Sequence, residues 1–311
     1  MRTVFLGNHA WSVPTLEALA SAPEVEVALV VTNPPRPTPR GARLRPTPVA
    51  EAGRGLGLDV VEAEGVREGS GSEALRASEP DLLVVVAYGQ LLPAWVLDLP
   101  QVAPLNVHFS LLPRWRGAAP VQRAILAGDP GTGVTLMRMD QGLDTGPIVA
   151  QRSTPIGPEE DAGTLGDRLA ALGAVLMTAT IPALAAGDVL ERPQDDERST
   201  AAPSISPPER WIDWGQAAVD VDRRVRALSP RPGARTRFRG GDLVVVRTAI
   251  GPDGPDESGA PGTLEVGEDG VWVRAGEGRL RLIELVPAGR SRLVADAWVR
   301  GARIAAGERL G

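Results

Sequence analysis

Cysteine and lysine are both missing from the 311 residues, and histidine occurs only twice. Without cysteine there can be no disulfide, no thiolate nucleophile and no Cys-ligated metal. Without lysine there is no Schiff-base chemistry and no P-loop lysine. His9 and His108 are far apart in the chain, so no histidine pair stands at metal-ligand spacing, and a metal-independent reaction is expected. Long apolar runs are scarce too. Leu82 to Ala87 is among the longest, far short of the roughly 20 residues that span a bilayer. The N-terminus shows neither the apolar stretch nor the small-residue cleavage site of a secretion signal. A cytoplasmic monomer that does not engage membranes is the expectation.

What is present points to two domains, since 311 residues exceed one typical domain. The net charge of −6 hides an asymmetry. Residues 1–205 hold 16 Arg and 24 acidic residues, whereas residues 206–311 hold 17 Arg and 15 acidic ones. From Arg223 to Arg247 eight arginines stand against Asp242 alone, a stretch suited to phosphates.

Strand-like runs at Thr3–Leu6, Val25–Thr32, Asp81–Ala87, Leu105–His108 and Gly133–Met139 alternate with helical spacing at Pro14–Ala20, Ser72–Ala77, Ala118–Ala127 and Thr164–Ala186. That alternation predicts an α/β domain with a mostly parallel sheet. Residues 193–209 are polar and proline-bearing and read as a linker between a domain at 1–192 and another at 210–311. After a helical stretch at Gly215–Leu228, short strands at Asp242–Thr248, Gly262–Val266, Gly270–Ala275 and Arg279–Leu285 suggest a small barrel. Trp211 and Trp214 read as packing residues.

The most informative segment is residues 106–120. Asn106-x-His108 sets an amide and an imidazole on one face of a strand end, while Ser110, Pro113 and Gly117 turn the chain. Asp144 adds a carboxylate on a Gly-bounded loop. In open α/β sheets ligands bind beyond the carboxyl ends of the strands, which is where the three residues would meet.

Asn106-x-His108-x-Ser110-Leu-Leu-Pro113, Arg116-Gly-Ala-Ala-Pro120 and Gly142-Leu-Asp-Thr-Gly146 closely resemble the folate-dependent formyltransferases. The likeness also takes in Thr3–Gly7, Val30–Pro48, Val86–Pro93 and Arg210–Trp214. It implies a Rossmann-like formyltransferase domain followed by a small β-barrel resembling an OB fold. It further implies 10-formyltetrahydrofolate as donor, held by Tyr88, Gly89, Gln90, Leu91, Leu92, Ser110, Leu111, Leu112, Pro113, Met139 and Asp140, largely through their backbones. For formyl transfer Asn106 is expected to donate to the developing oxyanion. His108 is expected to join it and shuttle a proton, since imidazole exchanges protons most readily near neutrality. Asp144 would orient His108 and help take the proton of the attacking amine. Ser110 lacks a second histidine to activate it, so direct transfer is favoured over a formyl-enzyme.

The acceptor is the open question within such a family, because related sites formylate glycinamide ribonucleotide, sugar amines or aminoacyl-tRNA. Two features point to tRNA, which the resemblance implies to be initiator methionyl-tRNA. One is the Pro-rich segment Asn33–Pro48, whose Arg36, Arg40, Arg43 and Arg45 face no acid in that stretch. It resembles the family loop that enters the tRNA acceptor end. The other is the C-terminal domain, with Arg223, Arg226, Arg235 and Arg237 as candidate phosphate contacts. A sugar-amine formyltransferase is the alternative enzyme, and a folate- or tRNA-binding protein without turnover the alternative of another class. Asn8-His9-Ala10-Trp11 departs from the family's usual sequence after the first strand, which leaves the methionine pocket undefined there.

Overall fold

The computed structural model of the chain describes residues 1–37, 44–252, 259–305 and 307–311. Two compact units emerge. The first gathers residues 1–120, 131–155 and 166–203, and the second gathers 121–130, 156–165 and 204–311. Residues 193–203, expected in a linker, therefore belong with the first unit, and 204–209 with the second.

In the first unit the strands are β1 (Arg2–Gly7), β2 (Glu26–Thr32), the short pair β3 (Arg36–Pro37) and β4 (Leu44–Arg45), β5 (Val60–Glu62), β6 (Leu82–Val86), β7 (Ala103–His108), β8 (Gly131–Arg138) and β9 (Ile148–Pro155). Seven of them form one sheet in the order β5-β2-β1-β6-β7-β8-β9. It is parallel from β5 to β7 and antiparallel from β7 to β9. Helices α1 (Val13–Ser21), α2 (Pro48–Gly55), α3 (Ser70–Ser78) and α4 (Ala94–Leu97) occupy the crossovers. All five residues of β6 are buried, as its unbroken apolar sequence requires when both faces are covered. Val4 and Leu6 of β1 pack with Leu29, Leu75, Leu83 and Tyr88 in one core cluster.

The chain leaves β1 toward β2 and β5, then returns to β6 on the other side of β1, so the strand order reverses between β1 and β6. Ligand crevices form at such reversals. There Asn8 donates to the Tyr88 carbonyl, and its side-chain oxygen accepts from the Asn33 N–H at 2.7 Å and the Thr32 hydroxyl at 3.0 Å. The asparagine thus ties the exits of three strands together.

Helix α5 spans Pro120–Ala127 and α6 spans Ala162–Ala186. Among the described residues α6 is one helix long and apolar enough to cross a membrane by length and composition, which corrects the reading that apolar stretches are all too short. Leu169, Ala170, Ala174, Met177, Ile181 and Leu184 of α6 are buried in the protein. Gly173 lets the helix approach the sheet: a Cβ there would meet Val107 at 2.7 Å.

The second unit holds α7 (Ala218–Leu228), an antiparallel sheet of β10 (Ala234–Phe238), β11 (Gly241–Ile250), β12 (Leu264–Gly267), β13 (Gly270–Arg274), β14 (Arg279–Pro287) and β15 (Leu293–Val294), and α8 (Ala295–Ala302). The order is β10-β11-β14-β13-β12, with β15 beside β14. Arg309 bridges Thr263 and Leu310 bridges Phe238, so the last residues join the two outer strands and close the sheet. Val221, Val225 and Leu228 of α7, one helical stripe, pack into a core with Trp214, Val245, Leu264, Val273, Leu282 and Trp298. Trp214 is buried and donates its indole N–H to Thr236 at 2.9 Å, a packing role as expected.

Within this unit Arg123 of α5 pairs with Glu209 at 2.5 Å. The Arg123 guanidinium, and next the Ser206 N–H, hold the Glu209 carboxyl down to about 2. A carboxyl lowered on folding stabilises above its ordinary pKa of 4.5 and loses that contribution as pH falls toward about 2. The effect is small, because Glu209 remains about a third exposed. In urea unfolding, Glu209→Gln should flatten the pH dependence between about 4.5 and 2; curves parallel to wild type across that window would refute the coupling.

Candidate active site

Asn106 and His108 lie two residues apart at the end of β7, on one face of its pleat. Antiparallel pairing sets Asn106 opposite Met137 and His108 opposite Thr135 of β8. The loop from Met139 onward then brings back Asp144, 38 residues from Asn106 in sequence. Asp144 Oδ1 lies 3.4 Å from Asn106 Nδ2. Its Oδ2 stands 3.6 Å from His108 Nδ1 and accepts the Gly117 N–H at 2.8 Å. All three predicted catalytic residues therefore converge, with Asp144 as their hub. His108 is 6% exposed and the Asp144 side chain 12%, so their interaction is only weakly screened by water.

The imidazole is oriented from behind. His108 Nε2 is 2.9 Å from the Trp115 carbonyl, which can only accept, so Nε2 carries a proton and Nδ1 is turned to Asp144. The turn that supplies this carbonyl is itself anchored. Ser110 is fully buried and donates to the Arg114 carbonyl at 2.6 Å. Thr135 Oγ1 donates to Ser110 O at 2.7 Å and accepts the Leu112 N–H at 3.1 Å, while Gln151 Nε2 reaches Leu112 O at 2.9 Å. The serine hydroxyl is thus occupied in holding the turn. Gly117 has φ of +125°, and a Cβ there would stand 2.7 Å from Ala202 O, so glycine alone fits where the N–H must meet Asp144.

The expected donor-binding residues lie on three stretches of this unit. Tyr88–Leu92 follows β6 at the strand-order reversal. The Tyr88 ring is 2% exposed and packs in the core, and burial pushes its phenol up to about 12, so only its backbone is offered to a ligand. Gln90 donates to Asn33 at 3.0 Å and to Glu64 O at 2.9 Å, and Leu91 is 64% exposed. Leu111, Leu112 and Pro113 form the turn described above. Met139 packs beside the same core cluster as Tyr88, and Asp140 accepts from Gly142 N and Thr145 Oγ1 at 3.0 and 2.7 Å, shaping its own loop. A pocket of about 290 Å³ opens between α4 and this loop, lined in part by Leu97, Pro104, Met139 and Asp140.

The candidate tRNA-contacting arginines divide. Arg36 and Arg45 are exposed and sit directly opposite each other across β3 and β4, a like-charge pairing that repels unless an anion lies between them. Arg40 and Arg43 lie outside the described residues. In the second unit Arg223 pairs with Asp220 at 3.1 Å, Arg226 with Asp222 at 2.7 Å and Arg235 with Asp242 at 3.6 Å. Arg237 lies over the Trp211 ring at 5.1 Å. The cluster that only Asp242 opposes in its own stretch is therefore also met by acids outside it, and Arg226 is turned inward.

Sequence reading missed Gln194 and, although Arg116 stands in a motif of the resemblance, gave that residue no role at the Asp144 loop. Gln194 donates to Asp144 O at 2.9 Å and Gly146 O at 2.7 Å, and Arg116 Nε donates to Gln194 Oε1 at 2.9 Å. Gln194 falls in a polar, proline-bearing stretch that carries no local sign of a site.

Comparison with known proteins gives the family of the chain. Residues 1–181 match the family described as formyl transferase, and residues 204–303 match the formyl transferase C-terminal domain. A methionyl-tRNA formyltransferase from Halorhodospira halophila is 48% identical over 99% of this chain and 98% of its own. One from Solibacter usitatus is 44% identical over 100% of this chain and 99% of its own. Among solved structures, an N-formyltransferase from Helicobacter canadensis, in complex with folinic acid and dTDP-3-aminofucose, has a TM-score of 0.65 at 16% identity, covering 94% of this chain and 100% of its own. That last likeness is one of fold. End-to-end identity approaching half, on a chain whose Asn106, His108 and Asp144 converge, shows that the protein belongs to the methionyl-tRNA formyltransferase family.

Proposed function

We infer that this enzyme moves the formyl group of 10-formyltetrahydrofolate to the free amine of methionine on charged initiator tRNA, and that Asn106, His108 and Asp144 carry the step. The observation that bears the most weight is the convergence of those three side chains in a chain aligned end to end with methionyl-tRNA formyltransferases. The methionine amine attacks the formyl carbon and a C–N bond forms. The carbonyl oxygen takes up negative charge, which the Asn106 amide meets, joined by His108 Nδ1 on the same strand face once that nitrogen has taken up a proton; one such donor contributes roughly 10² to 10³ in rate. Asp144 and His108, 3.6 Å apart, relay the amine proton toward N10 as the C–N10 bond breaks, leaving tetrahydrofolate and the formylated amine. Tyr88 to Leu92, Ser110 to Pro113, Met139 and Asp140 hold the donor, mainly through main-chain groups.

Arg36 and Arg45, exposed and mutually repelling, are suited to a phosphate, and Arg40 and Arg43 extend that basic segment in sequence. In the C-terminal domain Arg237 is the better candidate for a tRNA phosphate, whereas Arg223, Arg226 and Arg235 serve ion pairs first. Replacing Arg36 and Arg45 together by Glu should raise KM for charged tRNA by about tenfold or more and flatten its salt dependence, with donor affinity unchanged. Formylation that is insensitive to salt and to this double change would favour a sugar-amine acceptor instead.

A further inference from the structure

Asp144 adopts a left-handed backbone conformation, φ +55°, which costs most residues with a Cβ about 1–2 kcal/mol and is better tolerated by Asp and Asn. Such a conformation persists where its surroundings over-determine it. Its loop is also tightly wound: a Cβ on Gly146 would stand 1.9 Å from Arg138 O. What holds the carbonyl side of this loop is one side chain. The two amide hydrogens of Gln194 go to Asp144 O and Gly146 O at 2.9 and 2.7 Å, and its oxygen accepts from Arg116 Nε at 2.9 Å. Arg116 is fixed in turn by Asp196 at 2.7 Å and by backbone bonds to Thr200 and Ala202 at 2.8 and 2.6 Å. The next residue, Gly117, grips the Asp144 carboxylate. Backbone and carboxylate of Asp144 are thus held from a single point.

We propose that Gln194, locked by Arg116, is a positioning residue that sets the Asp144 carboxylate against His108 and Asn106. The clasp rests on the catalytic reading of Asp144 given above. Gln194 bonds the backbone carbonyls of Asp144 and Gly146 and not the Asp144 carboxylate; it acts through the loop. Its amide is fully used, so substitution by Met keeps the length and removes both donors, and substitution by Asn keeps the amide but cannot reach.

Two readouts test it. In formylation assays on the full chain, Gln194→Met and Gln194→Asn should lower kcat by about 10²-fold, the scale of a misplaced catalytic group, while KM for donor and tRNA stays near wild type. Adding Arg116→Ala to Gln194→Met should cost little more, because both act on one loop. The second readout is independent of activity. The chain has only two histidines, so the imidazole nitrogen and carbon signals separate cleanly, with His9→Asn used to assign them. The Gln194 variants should shift the His108 signals and leave those of His9 in place. Wild-type kcat, a loss confined to KM, or unmoved His108 signals would overturn the clasp. If wild-type protein formylates no charged tRNA, the acceptor reading fails, and the imidazole signals still decide the clasp by themselves.

Discussion

Asp144→Asn should reduce turnover by about 10³-fold, within the range of a lost proton-transfer group, while 10-formyltetrahydrofolate binds nearly as before. The substitution keeps volume, and Asn tolerates the left-handed backbone that Asp144 adopts, so the loop is preserved. What changes is the hub. The carboxylate faces three nitrogen atoms, Asn106 Nδ2, the Gly117 N–H and His108 Nδ1. An amide has a single oxygen, so one of these contacts must face an NH2 group instead. The negative charge that orients and balances the imidazole is lost with it. Single-turnover rates with pre-bound donor, alongside a direct donor-binding titration, separate the effects. Turnover within about tenfold of wild type would remove Asp144 from the proton path.

A different kind of loss is expected at Asp222→Ala. Asp222 is 4% exposed on α7 and accepts from Arg226 Nε at 2.7 Å and from Thr248 Oγ1 at 2.8 Å. Arg226 also donates to Glu160 O at 3.2 Å. Removing the carboxylate strands a largely buried guanidinium and an unpaired hydroxyl, which costs about 3–5 kcal/mol of stability. Arg226→Met removes the opposite partner and should be milder for catalysis than for folding. Denaturant unfolding followed in the second unit through its tryptophans measures this; a change below about 1 kcal/mol would place the pair among weak surface contacts. The same pairing engages the Arg226 guanidinium although it lies in the densest run of arginines.

Much of this was legible in the sequence because it is encoded locally. The apolar runs of β1, β2 and β6 announce buried parallel strands, and Asn106-x-His108 needs only a strand's two-residue period to place both side chains together. Polar edge elements were harder to see. Strand β9 has a half-exposed, mixed sequence, and α2 begins in a Pro-rich stretch where Thr47 caps the helix by accepting the Ala50 N–H at 3.0 Å. The charge of the Arg223–Arg247 segment could not be judged from its own composition, because Glu159, Asp220, Asp222 and Glu308 approach it from elsewhere. Gln194 was hidden for the same reason: its bonds to the Asp144 loop span about 50 residues, and nothing near it in sequence marks it. Asp144, 38 residues from Asn106, could be read because its Gly-bounded motif carries the family resemblance, whereas Gln194 stands in no such motif.

The most direct test of the central claim is formylation by the purified protein with 10-formyltetrahydrofolate, offered methionyl initiator tRNA, methionyl elongator tRNA and free methionine in parallel. The account predicts rapid formylation of the initiator, and little or none of the other two. Equal formylation of all three acceptors, or a sugar amine modified while the initiator is left untouched, would contradict it.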